Sequence, residues 1–429
     1  MTRTARRSMS SALSQVRGVI TRKHRPDYRL VLFMGLLVLV GLVVLFAISP
    51  YQIHRINIEG GSVDQTHFMF KQLFYLAVGL SAFGINAAIP VDFWKKFAGK
   101  IVLGAIGLCV LLALLGAIGL PPAMCFNGAC RWFNLGFTSF QPAEFLKFGV
   151  LLFTAGFLGT RMKKGSVDDL GETLVPIGIL VLVAGFLVIG LQKDMGTGLT
   201  MLGIVATMLI ISGLSLKRMA LTGGIALGLG VLFIIFSPHR IERIMTFANS
   251  SSATDAASYH IEMAKIAIGS GGVFGRGLGG GVQAFGYLPE ALNDSIFAVL
   301  GEIFGFVGLL MILGLFALLL KRLLDMVDRL EDPTMKMLVA GVFGWLATHV
   351  VVNIGAMTGI FPLTGVTLPF LSFGGTSLLF MMGALGIAYN ISRYTTHTSS
   401  LTTERSGDEA TRSGRRIGRT RYASSRRHQ

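Results

Sequence analysis

From Ala267 to Phe306 the chain reads AIGSGGVFGRGLGGGVQAFGYLPEALNDSIFAVLGEIFGF, a glycine-punctuated segment that carries Pro289, Glu290 and Asp294 into an apolar stretch containing Glu302. Carboxylates at or within a bilayer are costly and mark functional sites by default, so these acids are the first candidates for chemistry. Asp294 stands at the start of a predicted helix, where exposed amides and the helix dipole favour its ionised form. That suits a base or a metal ligand better than a proton donor. The alternative is that Asp294 and Ser295 only cap the helix. Glu302 lies about two turns deeper, too far along to share a reacting centre closely with Asp294, and is expected, like Glu290, to play a structural or supporting part.

Two further clusters carry charge. Arg131-Trp132-Phe133-Asn134-Leu135-Gly136 is followed by Gln141-Pro142-Ala143-Glu144-Phe145-Leu146-Lys147. Pro142 suits the first turn of a helix, so a positive dipole end gathers near Arg131 and Lys147, a place that attracts anions such as phosphate. Equally, Glu144 and Lys147, three residues apart on one helix, could neutralise each other. The turn Gln192-Lys193-Asp194-Met195-Gly196-Thr197 holds Gln192 and Asp194 as further candidates, or as solvated turn residues. Asn353 to Ser377 carries no charge and is expected to shape a groove or pack helices through small residues. Gly275-Arg276-Gly277-Leu278-Gly279-Gly280 fits the dinucleotide pattern only literally, because no strand precedes it and no βαβ unit is available.

The elements that must position these residues are membrane helices. Of 429 residues 52% are hydrophobic and only 14% charged, which with repeated apolar runs excludes a soluble core and predicts an all-α polytopic membrane protein of about ten spans. The predicted spans are Leu30 to Ile48, Phe68 to Ala88, Phe97 to Leu120, Ala143 to Gly159, Leu174 to Leu191, Gly196 to Leu214, Met219 to Phe236, Ile296 to Leu320, Met337 to Gly359 and Leu371 to Ile391. A large outward loop, Ser237 to Ser295, joins the seventh and eighth. It opens with a polar patch, Asn249 to Ser258, expected to be disordered.

Lys and Arg crowd the segment before the first span and alternate loops, including Lys95, Lys96, Arg161, Lys163, Lys217, Arg218, Lys321 and Arg322. The positive-inside rule then places both termini in the cytoplasm, and the first span, lacking a cleavage site close behind it, is read as retained. The net charge is +16, but about +13 of it sits in residues 1–29 and 393–429, essentially the two tails (1–29 and 394–429) that flank a membrane domain of residues 30–393. Their composition predicts disorder and contact with anionic inner-leaflet lipid rather than nucleic acid. Cys125 and Cys130 lie in an outward loop where a disulfide is permitted by compartment.

The strings RWFNLGFTSFQPAEFLK, AKIAIGSGG with GLGGGVQAFGYLPEALNDSIFAVLGE, and NIGAMTGIFPLTGVTLPFLSFGGTS resemble, in order and spacing, the signatures of the SEDS family (shape, elongation, division and sporulation), typified by FtsW and RodA and here nearer FtsW. The resemblance implies a peptidoglycan glycosyltransferase that polymerises glycan strands from lipid II at the outer face of the bacterial cytoplasmic membrane, in cell division, with a class B penicillin-binding protein and other division proteins as partners. It places the family's essential loop acid on Asp294, its arginine on Arg131, its glutamate and lysine on Glu144 and Lys147, and its polar turn on Gln192 and Asp194. The chain departs from the pattern at Leu292, Asn293 and Ile303, and at Tyr259-His260.

Such a polymerase joins the 4-hydroxyl of one lipid-linked disaccharide to the anomeric carbon of another and expels a lipid pyrophosphate. Glycosidases use two carboxylates because an alkoxide must be protonated as it leaves; a pyrophosphate needs positive charge instead, so one base facing cations suffices. Arg131 and Lys147 are the candidates for that charge. No cofactor is required by the residues, though a divalent cation at Asp294 is possible chemistry. A lipid II flippase and a non-catalytic division scaffold stand as alternatives.

Overall fold

The computed structural model describes residues 25–58, 62–126, 128–235 and 256–395. The cation-rich tails fall almost wholly outside the described residues, as does most of the Asn249 to Ser258 patch. Every predicted span overlaps a helix: α1 Tyr28–Ile58, α2 His67–Ala88, α3 Val91–Ala117, α4 Pro142–Lys164, α5 Leu170–Leu191, α6 Met195–Ile211, α7 Leu216–Ile235, α9 Ile296–Arg329, α10 Pro333–Met357 and α11 Gly375–Ile391. Among the described residues eight helices are long and apolar enough to cross a membrane, α6 being a shorter apolar helix. The chain is a multi-pass membrane protein.

Two elements were not expected. A three-stranded antiparallel sheet, β1 Ala123–Phe126, β2 Ala129–Asn134 and β3 Ser139–Phe140, connects α3 to α4. Cys125 and Cys130 are register partners in it and are joined by a disulfide. Within the stretch expected to be loop, Ala256–Ser270 forms a helix, α8, which packs against α9 with Ala264 and Ala267 fully buried. Small side chains at that spacing allow close approach of two helices.

The bundle has an inside and an outside. In α4, α10 and the α11 span 72% of the apolar window is buried, against 17% in α2 and 28% in α3, so the first three form the protein interior and the others turn wide apolar faces outward, as lipid-facing helices must. Polar residues inside a membrane belong on interior helices, and α4 and α10 carry the buried Glu144, Lys147, His349 and Asn353. Local signals set the ends: Pro142 opens α4, Gly165 closes it in the left-handed conformation at φ 67, and Arg161, Lys163 and Lys164 occupy its last turn. Asp332 caps α10 by accepting from the amides of Thr334 and Met335, and its other oxygen accepts from Lys163 at 2.9 Å.

α9 is broken at Gly305, whose φ of 68 and ψ of −167 lie outside the helical region. The freed backbone groups are repaired by the glycine segment. The amides of Arg276 and Gly277 donate to the carbonyls of Glu302 and Ile303 at 2.9 and 3.0 Å, and the amides of Phe306 and Val307 donate to Gly272 and Val273 at 2.9 and 3.0 Å. Irregular backbone at membrane depth is tolerated only where protein satisfies it. Gly275, at φ 81, lies against the Ile303 carbonyl where a Cβ would collide, so glycine is required there by both space and backbone angle.

Candidate active site

Asp294 occupies the short connection between a π-helical turn, Gln283–Tyr287, and α9. Its main chain is held from α10: the Asn353 side-chain amide donates to the Asp294 carbonyl at 2.7 Å and to the Val366 carbonyl at 2.7 Å. The same connection is tied to the loop before α11 by the Phe373 amide, which donates to the Leu292 carbonyl at 2.8 Å. Asp294 Oδ1 is buried and has no hydrogen-bond partner. Burial, and then the charge of Glu290, push the carboxyl from its ordinary 3.8 up to about 7, outweighing the opposing amides of Asp294 and Ser295 and the Ser295 hydroxyl. The expectation of a carboxylate favoured in its ionised form is therefore corrected. Desolvation at a site shielded by three elements exceeds what helix-end amides supply.

The capping alternative is also decided in part. Ser295 sits at the N-cap position of α9 but its side chain makes no capping bond; its hydroxyl donates instead to the Pro289 carbonyl at 2.8 Å. His260 of α8 brings Nε2 to 2.5 Å from the same oxygen. Burial lowers the His260 pKa, with Glu290 opposing. Glu290, at φ 49, accepts from the Asn293 side chain at 2.5 Å.

A second centre lies inside α4 and α10. Lys147 is 1% exposed, and its ammonium lies 2.8 Å from Glu144 Oε1 and 3.0 Å from His349 Nε2, with the Trp345 ring face 5.2 Å away. His349 Nδ1 stands 3.0 Å from the Thr367 carbonyl. A carbonyl can only accept, so Nδ1 carries the proton and Nε2 accepts from Lys147 and from Trp345 Nε1 at 3.2 Å. Of the two readings left by the sequence, the ion pair is the arrangement present. Lys147 was expected to face a leaving pyrophosphate; here its donors are engaged within the protein.

Arg131 is placed differently again. Its Nε donates to the Gln192 carbonyl at 3.1 Å and its Nη2 to the Lys193 carbonyl at 2.8 Å, pinning β2 to a turn in which Lys193 adopts φ 52. Asp194 is no solvated turn residue: it is 8% exposed, caps α6 by accepting from the Thr197 amide at 2.9 Å, and accepts from Gln141 at 3.0 Å. Gln192 is 1% exposed. The turn packs at Gly196 on Thr364 and Val366, and Gly365 between them faces Asp294. Residues 364 to 367 thus touch the Asp194 turn, Asn353 and His349, with Gly365 on the side of the Asp294 carboxylate.

Glu302 is fully buried away from Asp294 and accepts three backbone amides, Val282 at 2.6 Å, Gln283 at 3.0 Å and Ala284 at 2.8 Å. It is the anchor of the glycine segment. Among the described residues no group of three or more His, Cys, Asp or Glu converges as a metal site. Sequence reasoning missed His260, Trp345 and His349, and passed over Asn353 as part of an uncharged packing segment. His349 and Asn353 are polar residues one turn apart in an apolar helix, which was the available signal.

Residues 28–397 match the family model for FtsW, RodA and SpoVE cell cycle proteins. Stage V sporulation protein E of Bacillus subtilis (strain 168) is 33% identical over 376 residues, covering 87% of this chain and 99% of that protein. A probable peptidoglycan glycosyltransferase FtsW of Coxiella burnetii is 34% identical over 328 residues, covering 76% of this chain and 86% of that protein. Among solved structures, a chain of a peptidoglycan synthase complex that coordinates polymerization and crosslinking is similar with a TM-score of 0.70 at 26% identity, covering 86% of this chain and 98% of that one.

Proposed function

This chain belongs to the family of FtsW, RodA and SpoVE cell cycle proteins, and from that premise we propose that it is a peptidoglycan glycosyltransferase that polymerises glycan strands from lipid II during cell division. The relatives named as FtsW glycosyltransferases and the likeness to a peptidoglycan synthase complex support the activity. The observation that carries the mechanism is Asp294: a buried carboxyl with an unpartnered oxygen, its pKa near 7, on a main chain fixed by Asn353.

Asp294 removes the proton from the acceptor 4-hydroxyl as that oxygen attacks the anomeric carbon of the donor, and the lipid pyrophosphate departs with the bonding electrons. A base works best when its pKa lies near the working pH, and about 7 meets that condition. The leaving group is already an anion, so no second carboxylate is needed as acid. A divalent cation of the Mg²⁺ type takes one or two carboxylates and fills its remaining positions with water and phosphate. Asp294 with its free oxygen and the neighbouring Glu290 fit such an ion, which would offset the pyrophosphate charge.

Arg131 is the cation of the pair better placed to act near a substrate, since Lys147 is enclosed by Glu144 and His349. The outer face of the cytoplasmic membrane is the place for this chemistry, with both termini cytoplasmic and a class B penicillin-binding protein as partner, in keeping with the coupling of polymerization and crosslinking in the similar complex. A transporter would use a broken helix to bind cargo, but the break in α9 has its backbone groups paired with Gly272 to Gly277. Polymerisation of purified lipid II by the parent and by Asp294→Asn tests the reading. Equal rates would overturn it.

A further inference from the structure

The chemistry at Asp294 leaves His260 unused, yet His260 is 9% exposed and makes a contact of 2.5 Å with Ser295, which is fully buried and adjacent to Asp294 in the chain. The direction of that hydrogen bond can be worked out. Ser295 has one hydroxyl proton, and the Pro289 carbonyl 2.8 Å away can only accept. An Asp294 carboxylate drawing on the same hydroxyl would also be an acceptor. Whichever of them takes the proton, the Ser295 oxygen meets His260 through a lone pair, and His260 Nε2 must be the donor. The opposite arrangement would leave two oxygens 2.8 Å apart with no proton between them, in a place water does not reach.

We propose that His260, through a Nε2–H bond to Ser295, is a positioning residue that fixes the orientation of the Asp294 carboxyl for the glycosyl transfer; this rests on the reading of Asp294 as base. Two supports then hold the backbone at Asp294 and Ser295. Asn353 of α10 grips the Asp294 carbonyl, and His260 of α8 grips the residue after it. Only the second lies on the short helix of the outer segment. α8 is thereby a part of the active site, although none of its side chains is required to touch the sugar.

The test compares variants of the full-length protein reconstituted with its transpeptidase partner, by initial rates on purified lipid II. Gln carries an amide N–H near the position of His Nε2, whereas Asn carries one only near Nδ1. His260→Ala and His260→Asn are expected to lower kcat roughly 10-fold, within the ~10²-fold that a misplacement of about 1 Å can bring, with KM unchanged. His260→Gln is expected to recover to within about threefold of the parent, well inside the ~10²-fold range of misplacement and an effect that a merely space-filling role would not give. Ser295→Ala should reproduce the loss, and His260→Ala with Ser295→Ala should be no slower than either alone. The inference is overturned if His260→Gln is as slow as His260→Asn, if the double variant shows additive losses, or if His260→Ala matches the parent. Asp294→Asn run alongside separates the two levels: an inactive Asp294→Asn with a fully active His260→Ala removes His260 and leaves the base, whereas an active Asp294→Asn removes both.

Discussion

The side-chain amide of Asn353 donates both its protons to backbone carbonyls, one of Asp294 and one of Val366, each at 2.7 Å. A single interior residue of α10 therefore locks the segment bearing the candidate base to the loop that covers it. Asn353→Ala should free two enclosed carbonyls, each worth about 1–3 kcal/mol, and lower both the melting temperature and the polymerisation rate. Asn353→Asp should be worse than Asn353→Ala, because it sets an anion against the same two acceptors. Melting curves in detergent with initial rates check the order.

Asp294→Asn should reduce polymerisation by roughly 10²- to 10⁴-fold, the usual contribution of a positioned base, while the protein still inserts and binds its partner. Asn keeps the shape of the side chain, so a residue that served only to shape the helix start would tolerate it. Rates on lipid II and co-purification of the transpeptidase decide the matter.

The pH dependence of Asp294 has opposite signs for activity and stability. The base must be ionised, so kcat/KM should rise as pH increases through about 7. The folded-state pKa lies above the ordinary 3.8, so the folded protein holds this proton more tightly than the unfolded chain does. The stability this gives is fully present below 3.8 and lost as pH rises through about 7. Asp294→Asn, neutral throughout, should accordingly melt above the parent at pH 8, with the gap shrinking toward pH 5.

Lys147→Ala leaves Glu144 enclosed without its ion-pair partner, and removing one partner of a buried ion pair costs about 3–5 kcal/mol. A large fall in melting temperature should accompany its loss of activity. Glu144→Gln combined with Lys147→Met should melt closer to the parent than Lys147→Ala does. Arg131→Ala, which removes a surface clamp on the Gln192 and Lys193 carbonyls, should reduce activity with a smaller change in melting.

Glu302→Gln should act on stability more than on chemistry. A carboxylate accepts all three amides of Val282, Gln283 and Ala284, whereas an amide side chain turns an NH₂ toward at least one of them. Protease sensitivity of the glycine segment should increase, and the rate per folded molecule should fall far less than in Asp294→Asn.

The membrane helices were legible in the chain because a bilayer imposes a one-dimensional rule: apolar runs of sufficient length, with charge between them. The acids of the glycine segment stood out for the same reason, since a carboxylate beside an apolar run is expensive unless used. What those groups do to one another was not legible. Lys147 meets His349 across 202 positions, Asp294 meets Asn353 across 59, and His260 meets Ser295 across 35. A helix dipole can be inferred from sequence and it pointed to an ionised Asp294; burial cannot, because it is the sum of what α10, the loop before α11 and the Glu290 turn place around that carboxyl. The tertiary structure decided the upward shift of the Asp294 carboxyl, the engagement of Lys147 and the contact of His260 with Ser295, since each depends on residues remote in the chain.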